Sequence, residues 1–466
     1  MVAVPLGLSP YKRKNMYTPE IELTNLLVEN DQSNLVDGKV RFQRPGLVPF
    51  STVGIAGPIR GLFRRYGVVG SQYLAVPSTF AYAVSDTGVQ TLLGTLTGTD
   101  LVSIDGGGTK AIIVANGIAY ATDGTAGNLV AINMPNGEMV SCVLYIGGYF
   151  LLFCADSQRF YWLAPGDTDP DPLNFASAET SPDNIVKGAR LLDEVWIFGQ
   201  QSTEVWQLTG DLNAPFQPIG GRLYEKGCAN RDTVCVLDNT LFWVGNDLMV
   251  YRADTVPVLI STPSIAEHLK NATAADLRGW AFSMDNHTLY CLRMGSEGTW
   301  AYDVEYKTWP RFKSYNQETW SAHVGTQVDG ATVVAGDDTT NKLYRLDSTV
   351  SNDDGAPLER IVTGGVAVLG QPQKCRDLSV AMDVGWAPIT GAATNPTVLM
   401  RYSDDGGNLW SSWIEQRLGL QGQYQGEVVW RRLGLMKSPG RLFTLKITDD
   451  AMARFSYARM NEQVSV

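Results

Sequence analysis

The chain has 466 residues, with 47 Gly, 12 Trp, 19 Tyr and 15 Phe but only 18% charged residues, a composition that favours strands and turns. That length exceeds one ordinary core, so either two or three domains or one large repetitive architecture must account for it. The net charge of −11, from 48 acidic and 37 basic residues, excludes tight binding of a polyanion through a broadly basic surface unless charge is segregated locally.

Residues 1–60 come first and carry Pro5, Pro10, Pro19, Pro45, Pro49 and Pro58 with few periodic segments, which predicts an extended arm that packs on something else. No apolar core of signal-peptide length precedes Lys12-Arg13-Lys14, so no secretion signal is expected. The apolar stretches are broken well short of the roughly 18 residues of a membrane helix, so the chain reads as soluble and without a membrane anchor. Six cysteines, at 142, 154, 228, 235, 291 and 375, form no C-x-x-C and are expected to be reduced and mostly buried.

Over residues 61–350 a β-type run, a turn and a second run ending in an aromatic or Leu recur at 72–84, 117–132, 148–163, 194–208, 240–253, 288–303 and 332–347. Aligned at Ala75, Tyr120, Phe153, Phe198, Val244, Cys291 and Ala335, the steps are 45, 33, 45, 46, 47 and 44. A period in the middle forties predicts an all-β fold, a β-propeller-like unit of six or seven four-stranded blades. Segments such as Ser141–Ile146, Asn184–Leu192 and Asp232–Asp238 supply further strands before the hairpins. A single helix is expected near 263–278, after a Pro-Ser pair. The polar STVSNDDGAP at 348–357 marks a boundary. Strand-like runs at 358–368, 376–384, 397–403, 428–435 and 441–448 then predict a C-terminal β-sandwich-like domain over 351–466.

The motifs that could carry chemistry fall short of it. His268, His287 and His323 stand apart from any metal-binding pattern, and no G-x-S-x-G elbow marks a nucleophile. Gly106-Gly107-Gly108-Thr109-Lys110 has Thr rather than Gly before its Lys, so a turn is expected there instead of a phosphate loop. Asp167, Asp169 and Asp171 alternate as in a calcium loop, but Pro172 and Ala178 stand where Gly and Glu are needed. The string from Ser403 through Asp405 and Gly407 to Trp410 resembles the Asp-box of sialidase-like propellers, a structural turn in which Asp405 accepts amide hydrogen bonds, Gly407 supplies positive φ and Trp410 packs under the hairpin. Among the short basic clusters, Lys12–Lys14, Arg64-Arg65 and Arg431-Arg432, the tripeptide Trp430-Arg431-Arg432 is the candidate interface, because Trp and Arg most often anchor interfaces. No catalytic residue, metal or cofactor is expected.

Arg44-Pro45-Gly46, the run Ser202-Thr203-Glu204-Val205-Trp206-Gln207-Leu208-Thr209-Gly210 followed by Lys226-Gly227, and Val429-Trp430-Arg431-Arg432-Leu433-Gly434 occur in this order. In that order and spacing the chain resembles the tail hub, or nozzle, proteins of short-tailed bacteriophages, also called packaged-DNA stabilisation proteins. The resemblance implies a structural virion protein, made in the host cytoplasm, that forms a hexameric homo-oligomeric ring below the portal and its adaptor ring. It further implies contacts with a tail needle or tip and with tailspike or fibre proteins, and a channel through which double-stranded DNA passes without specific binding. Two other readings stay open. One is a carbohydrate-active propeller, a depolymerase or sialidase-like hydrolase, which requires convergent carboxylates and Arg in a deep axial pocket. The other is a glycan- or receptor-binding adhesin with exposed aromatic platforms.

Overall fold

Short runs of β-branched and aromatic residues separated by Gly, Asn and Asp turns dictate hairpins, and hairpins are what the chain builds. The computed structural model describes residues 1–9, 21–31, 36–336, 339–368, 371–385, 394–424 and 427–464, and groups them into two compact units. One unit comprises Pro49–Glu297 and Ser321–Arg345; the other comprises Met1–Val48, Gly298–Trp320 and Leu346–Val466.

The first unit is a β-propeller. Its successive sheets begin with the inner strands Ile59–Phe63, Ser103–Gly107, Val140–Ile146, Ile185–Leu191, Cys235–Leu237, Leu277–Met284 and Gly325–Val328. Each of these neighbours the next, and the last neighbours the first. Seven inner strands therefore close the ring among the described residues. In the first five sheets the strands run antiparallel in sequence order, as in Ile59–Phe63, Tyr73–Pro77, Phe80–Val84 and Gln90–Thr95. The start of the unit lies along its end, with Val53 N donating to Asn341 O at 2.9 Å.

A four-stranded sheet buries neither face alone, so the cores lie between sheets. Phe153, Phe160 and Trp162 of the third pack on Val195, Ile197 and Trp206 of the fourth, while Trp196 and Phe198 meet Trp243 of the fifth. Close approach is bought with glycine at the inner strands: a Cβ on Gly107 would lie 1.9 Å from the Tyr145 ring, and one on Gly325 would lie 2.4 Å from Trp280.

The second unit is a sandwich. One sheet has the order Leu26–Asn30, Lys39–Gln43, Arg454–Val464, Gln373–Met382 and Val428–Arg431, with Val2–Val4 also paired to Arg454–Val464. The other sets Leu23–Thr24, Arg360–Ala367, Gly440–Ile447, Thr397–Ser403 and Ile414–Arg417 side by side. Leu378, Trp430 and Met460 from the first face Val362, Phe443 and Met400 from the second in one core.

Two expectations are corrected. Residues 1–60 are not a separate arm, since their described part up to Val48 supplies strands to the sandwich and Pro49 onward belongs to the propeller. The helix is shorter than expected, Pro263–Asn271, capped by Thr262, because Leu277 is drawn into an inner strand opposite Met294.

Candidate functional site

The residues singled out from sequence are mostly structural. Gly106 and Gly107 end an inner strand, and Gly108-Thr109 make the two-residue turn to Lys110. Asp167, Asp169 and Asp171 are exposed on the loop between Arg159–Leu163 and Phe175–Ser177, where Asp171 accepts from its own turn at Leu173 N, 2.8 Å. The histidines are dispersed: His268 lies 2.9 Å from Glu297, His287 is buried at a strand start, and His323 Nε2 meets Ile59 O at 3.0 Å. Among the described residues no group of three or more His, Cys, Asp or Glu could hold a metal ion, and no helix is long and apolar enough to cross a membrane. All six cysteines are free thiols, with only Cys235 partly exposed.

The Ser403 to Trp410 turn ties itself together. Ser403 Oγ lies 2.7 Å from Asp405 Oδ1 and accepts from Gly407 N at 3.0 Å, while Asp405 accepts from Leu409 N at 2.9 Å. The Leu409 amide and the Ser403 hydroxyl hold the Asp405 carboxyl below its ordinary value. Gly407 has φ +95°, and Trp410 is half-buried with the Arg401 guanidinium 4.4 Å over its ring.

The candidate interface needs one correction. Trp430 is 1% exposed, inside the sandwich core with its indole N–H on Ile414 O at 2.9 Å, and cannot reach a partner. Arg431 and Arg432 are exposed, and Arg432 holds φ +61°. Lys12–Lys14 lies outside the described residues.

The other motifs lock turns. Arg44, fully buried, grips Asp353 at 2.6 and 3.0 Å and Asn25 at 2.9 Å, beneath Trp320. Glu204 accepts from the Trp206 indole at 3.0 Å and from Thr180 N at 2.9 Å, while Thr203 Oγ1 donates to Lys226 O at 2.6 Å.

Sequence reasoning missed a polar feature, a cavity of about 530 Å³ on the propeller axis. The inner strands bring Arg60, Lys187, Arg190 and Arg278 to its wall, and the links beside the first and fifth of them add Arg65 and Arg231. Two carboxylates accompany them, Asp105 and Asp232. Arg231 reaches Ser141 O at 2.5 Å and Leu101 O at 2.6 Å, stitching the link before the fifth sheet to the second and third. Arg60, 3% exposed, donates to Ser78 O at 2.6 Å and Asp100 O at 2.9 Å, and burial lowers its pKa.

Asp105 has no free oxygen for acid-base work. Oδ1 accepts from Gly106 N at 2.8 Å and lies 3.0 Å from Arg65, and Oδ2 accepts from Tyr145 N at 2.7 Å. Burial raises its pKa, with Arg65 and the two amides pulling the other way. Asp232 lies 3.3 Å from Arg231. Arginines thus converge on the axis as a glycosidase would need, but the carboxylates are tied to them, and the arrangement is suited to holding negative charge.

Comparison with known proteins gives the family. No curated protein matches the chain. Among solved structures, the computationally designed Ika8 protein is 12% identical with a TM-score of 0.40, covering 64% of this chain and 99% of its own. PorZ, a bacterial surface component of the type-IX secretion system of Porphyromonas gingivalis, is 13% identical with a TM-score of 0.39, covering 68% of this chain and 43% of its own. The family model of the bacteriophage P22 Gp10 β-propeller matches residues 4–351, and that of the P22 Gp10 β-sandwich matches residues 367–463. With both parts matched in order over nearly its whole length, the chain belongs to the bacteriophage Gp10 family of packaged-DNA stabilisation proteins.

Proposed function

We propose that this phage structural protein is the hub, or nozzle, of a short tail: six copies joined head to tail in a ring below the portal and its adaptor, continuing the DNA channel and helping retain the genome until ejection. The observation that carries this reading is the ordered match of propeller and sandwich to the Gp10 family over residues 4–351 and 367–463. In this reading the protein is made in the host cytoplasm, becomes part of the virion, meets the needle or tip and the tailspikes or fibres at its far side, and has no catalytic role.

Two physical features support it. A cyclic ring needs heterologous contacts, two different patches per copy, and exposed Arg431 and Arg432 offer charged donors for one of them. A net charge of −11 suits a channel past which duplex DNA slides, since a continuous basic lining would release counterions and hold it.

The test is native mass and negative-stain imaging of the purified protein, alone and added to virions that lack it. Rings on the adaptor and restored DNA retention are expected. A stable monomer that neither assembles nor restores retention overturns the reading, and a continuous Lys/Arg stripe facing the assembled channel removes the argument from charge.

A further inference from the structure

We propose that the axial cavity of the propeller is a binding site for a compact, multivalent phosphate-bearing anion. With Arg278 set aside, five cationic side chains, Arg60, Arg65, Lys187, Arg190 and Arg231, and two carboxylates, Asp105 and Asp232, line it, an excess of three positive charges on the wall. In a chain of net charge −11, a chance wall would be acidic. Packing so many like charges around one space opposes folding unless counter-charge enters it.

The cations divide by what else they do. Arg60 and Arg231 spend donors on backbone carbonyls of the ring, and their charge is a by-product of stitching strands together. Lys187 and Arg190 make lighter contacts, with Val234 O at 3.1 Å and Leu192 O at 2.7 Å, and Arg190 is exposed. Neither contact neutralises the charge, so both can turn to a ligand.

A second space of about 630 Å³ shares Arg60, Arg231, Asp232, Arg278 and His323 with the first. The same guanidinium layer therefore faces polar space on two sides. Two features select the ligand class. At about 530 Å³ the cavity has the size of a small-ligand site, with no room for a duplex whose major groove alone is about 12 Å wide. Guanidinium forks fixed on rigid strands match the oxygens of phosphate, and several positive charges call for several negative ones.

The experiment is isothermal titration of the full-length protein with inorganic tripolyphosphate, with citrate as a carboxylate anion of similar charge. Saturable binding of tripolyphosphate at least tenfold tighter than citrate, weakening as salt is raised, is expected. The variant Lys187→Gln/Arg190→Gln should lose at least tenfold in affinity, whereas Lys374→Gln, in the sandwich, should lose none. If the double variant does not fold, Arg190→Gln alone should lose severalfold, because Arg190 is exposed and holds one carbonyl. Absence of binding, citrate bound as tightly as tripolyphosphate, or affinity unchanged in the cavity variants each overturns the proposal.

Discussion

The two units solve the same problem, closing β-sheet against β-sheet, but only one of them buries guanidinium groups to do it. Among the largest fully buried residues, those of the propeller are all aromatic, Trp196, Trp243, Tyr73, Tyr161 and Tyr290, while the sandwich unit adds Arg41, Arg44, Arg360 and Arg441 to Trp309, Trp320 and Trp430. Propeller neighbours are close in sequence, so apolar shape is enough to register one sheet on the next. The sandwich is assembled from three separated stretches of chain, and each buried guanidinium ties remote pieces. Arg41 reaches Leu6 O and Ser456 O, Arg360 reaches Asp449 O, and Arg441 grips Asp404. A fork of directed donors fixes which remote segments meet, which apolar packing alone does less well.

That contrast is broken most directly at Arg44 and Trp243. Arg44→Ala leaves Asp353 buried and unpaired, and a loss of about 3–5 kcal/mol is expected by urea denaturation. Trp243→Ala should cost a similar amount, about 3–5 kcal/mol, through the cavity it leaves. Rescue distinguishes them. Trp243→Phe should recover most of the stability, because the Trp243 indole N–H is buried with no hydrogen-bond acceptor among the described residues. Arg44→Lys should recover little, since an ammonium cannot hold Asp353 and Asn25 together. Equal rescue by the two conservative changes would show that shape governs both units.

Alkaline pH sharpens the comparison with smaller effects. Burial pushes the Cys228 thiol, in the propeller, up to about 11 from an ordinary 9.0. The folded state holds this proton longer than the unfolded one, so the contribution is complete below pH 9 and is lost as pH rises through about 11. At pH 10.5 about 2 kcal/mol is at stake. Arg360 in the sandwich has the opposite sign: burial lowers it to about 10, so its contribution grows as pH rises above that value. Stability measured at pH 8.5 and 10.5 should fall less in Cys228→Ala than in the parent chain; an identical fall would remove the thiol from the account.

The same difference explains what could be read in the sequence. Propeller strands pair with neighbours a turn away, so their alternation and spacing are visible locally. The one irregular step, 33, arose because 117–132 marks the third and outer strands of its sheet, Ile118–Thr122 and Val130–Ala131, instead of the second, Lys110–Ala115. The sandwich strands Val2–Val4 and Arg454–Val464 left no such trace: Val2 pairs with Met460, and nothing local announces a partner so remote. Trp430 was misread because a Trp beside two arginines looks alike on an interface and on a strand with one face buried. The axial cavity went unseen because its cations are scattered in the chain: Arg60, Lys187, Arg190 and Arg278 lie on the first, fourth and sixth inner strands and Arg65 and Arg231 on links beside the first and fifth, so no local pattern joins them.

The turn from Ser403 to Trp410 tests whether the sandwich depends on local polar locks as it does on buried ones. Asp405→Ala removes the acceptor for Leu409 N and the partner of Ser403 Oγ, and about 1 kcal/mol is expected, read by urea denaturation. No measurable loss would assign the lock to the backbone alone.

The smallest effect on stability is expected at Arg432, and it carries the most about assembly. An exposed non-glycine residue at φ +61° costs roughly 1 kcal/mol that glycine avoids. Its backbone N–H still donates to Arg376 O at 2.8 Å, a bond that Arg432→Gly keeps. The isolated subunit should therefore be unchanged or more stable by up to about 1 kcal/mol, with the added freedom of glycine in the unfolded chain taking back part of the gain. If the exposed guanidinium serves a contact between copies, the same variant should raise the concentration at which rings form, read by native mass over a dilution series. Stability gained with assembly untouched would separate Arg432 from the interface and leave Arg431 as the remaining candidate of the tripeptide.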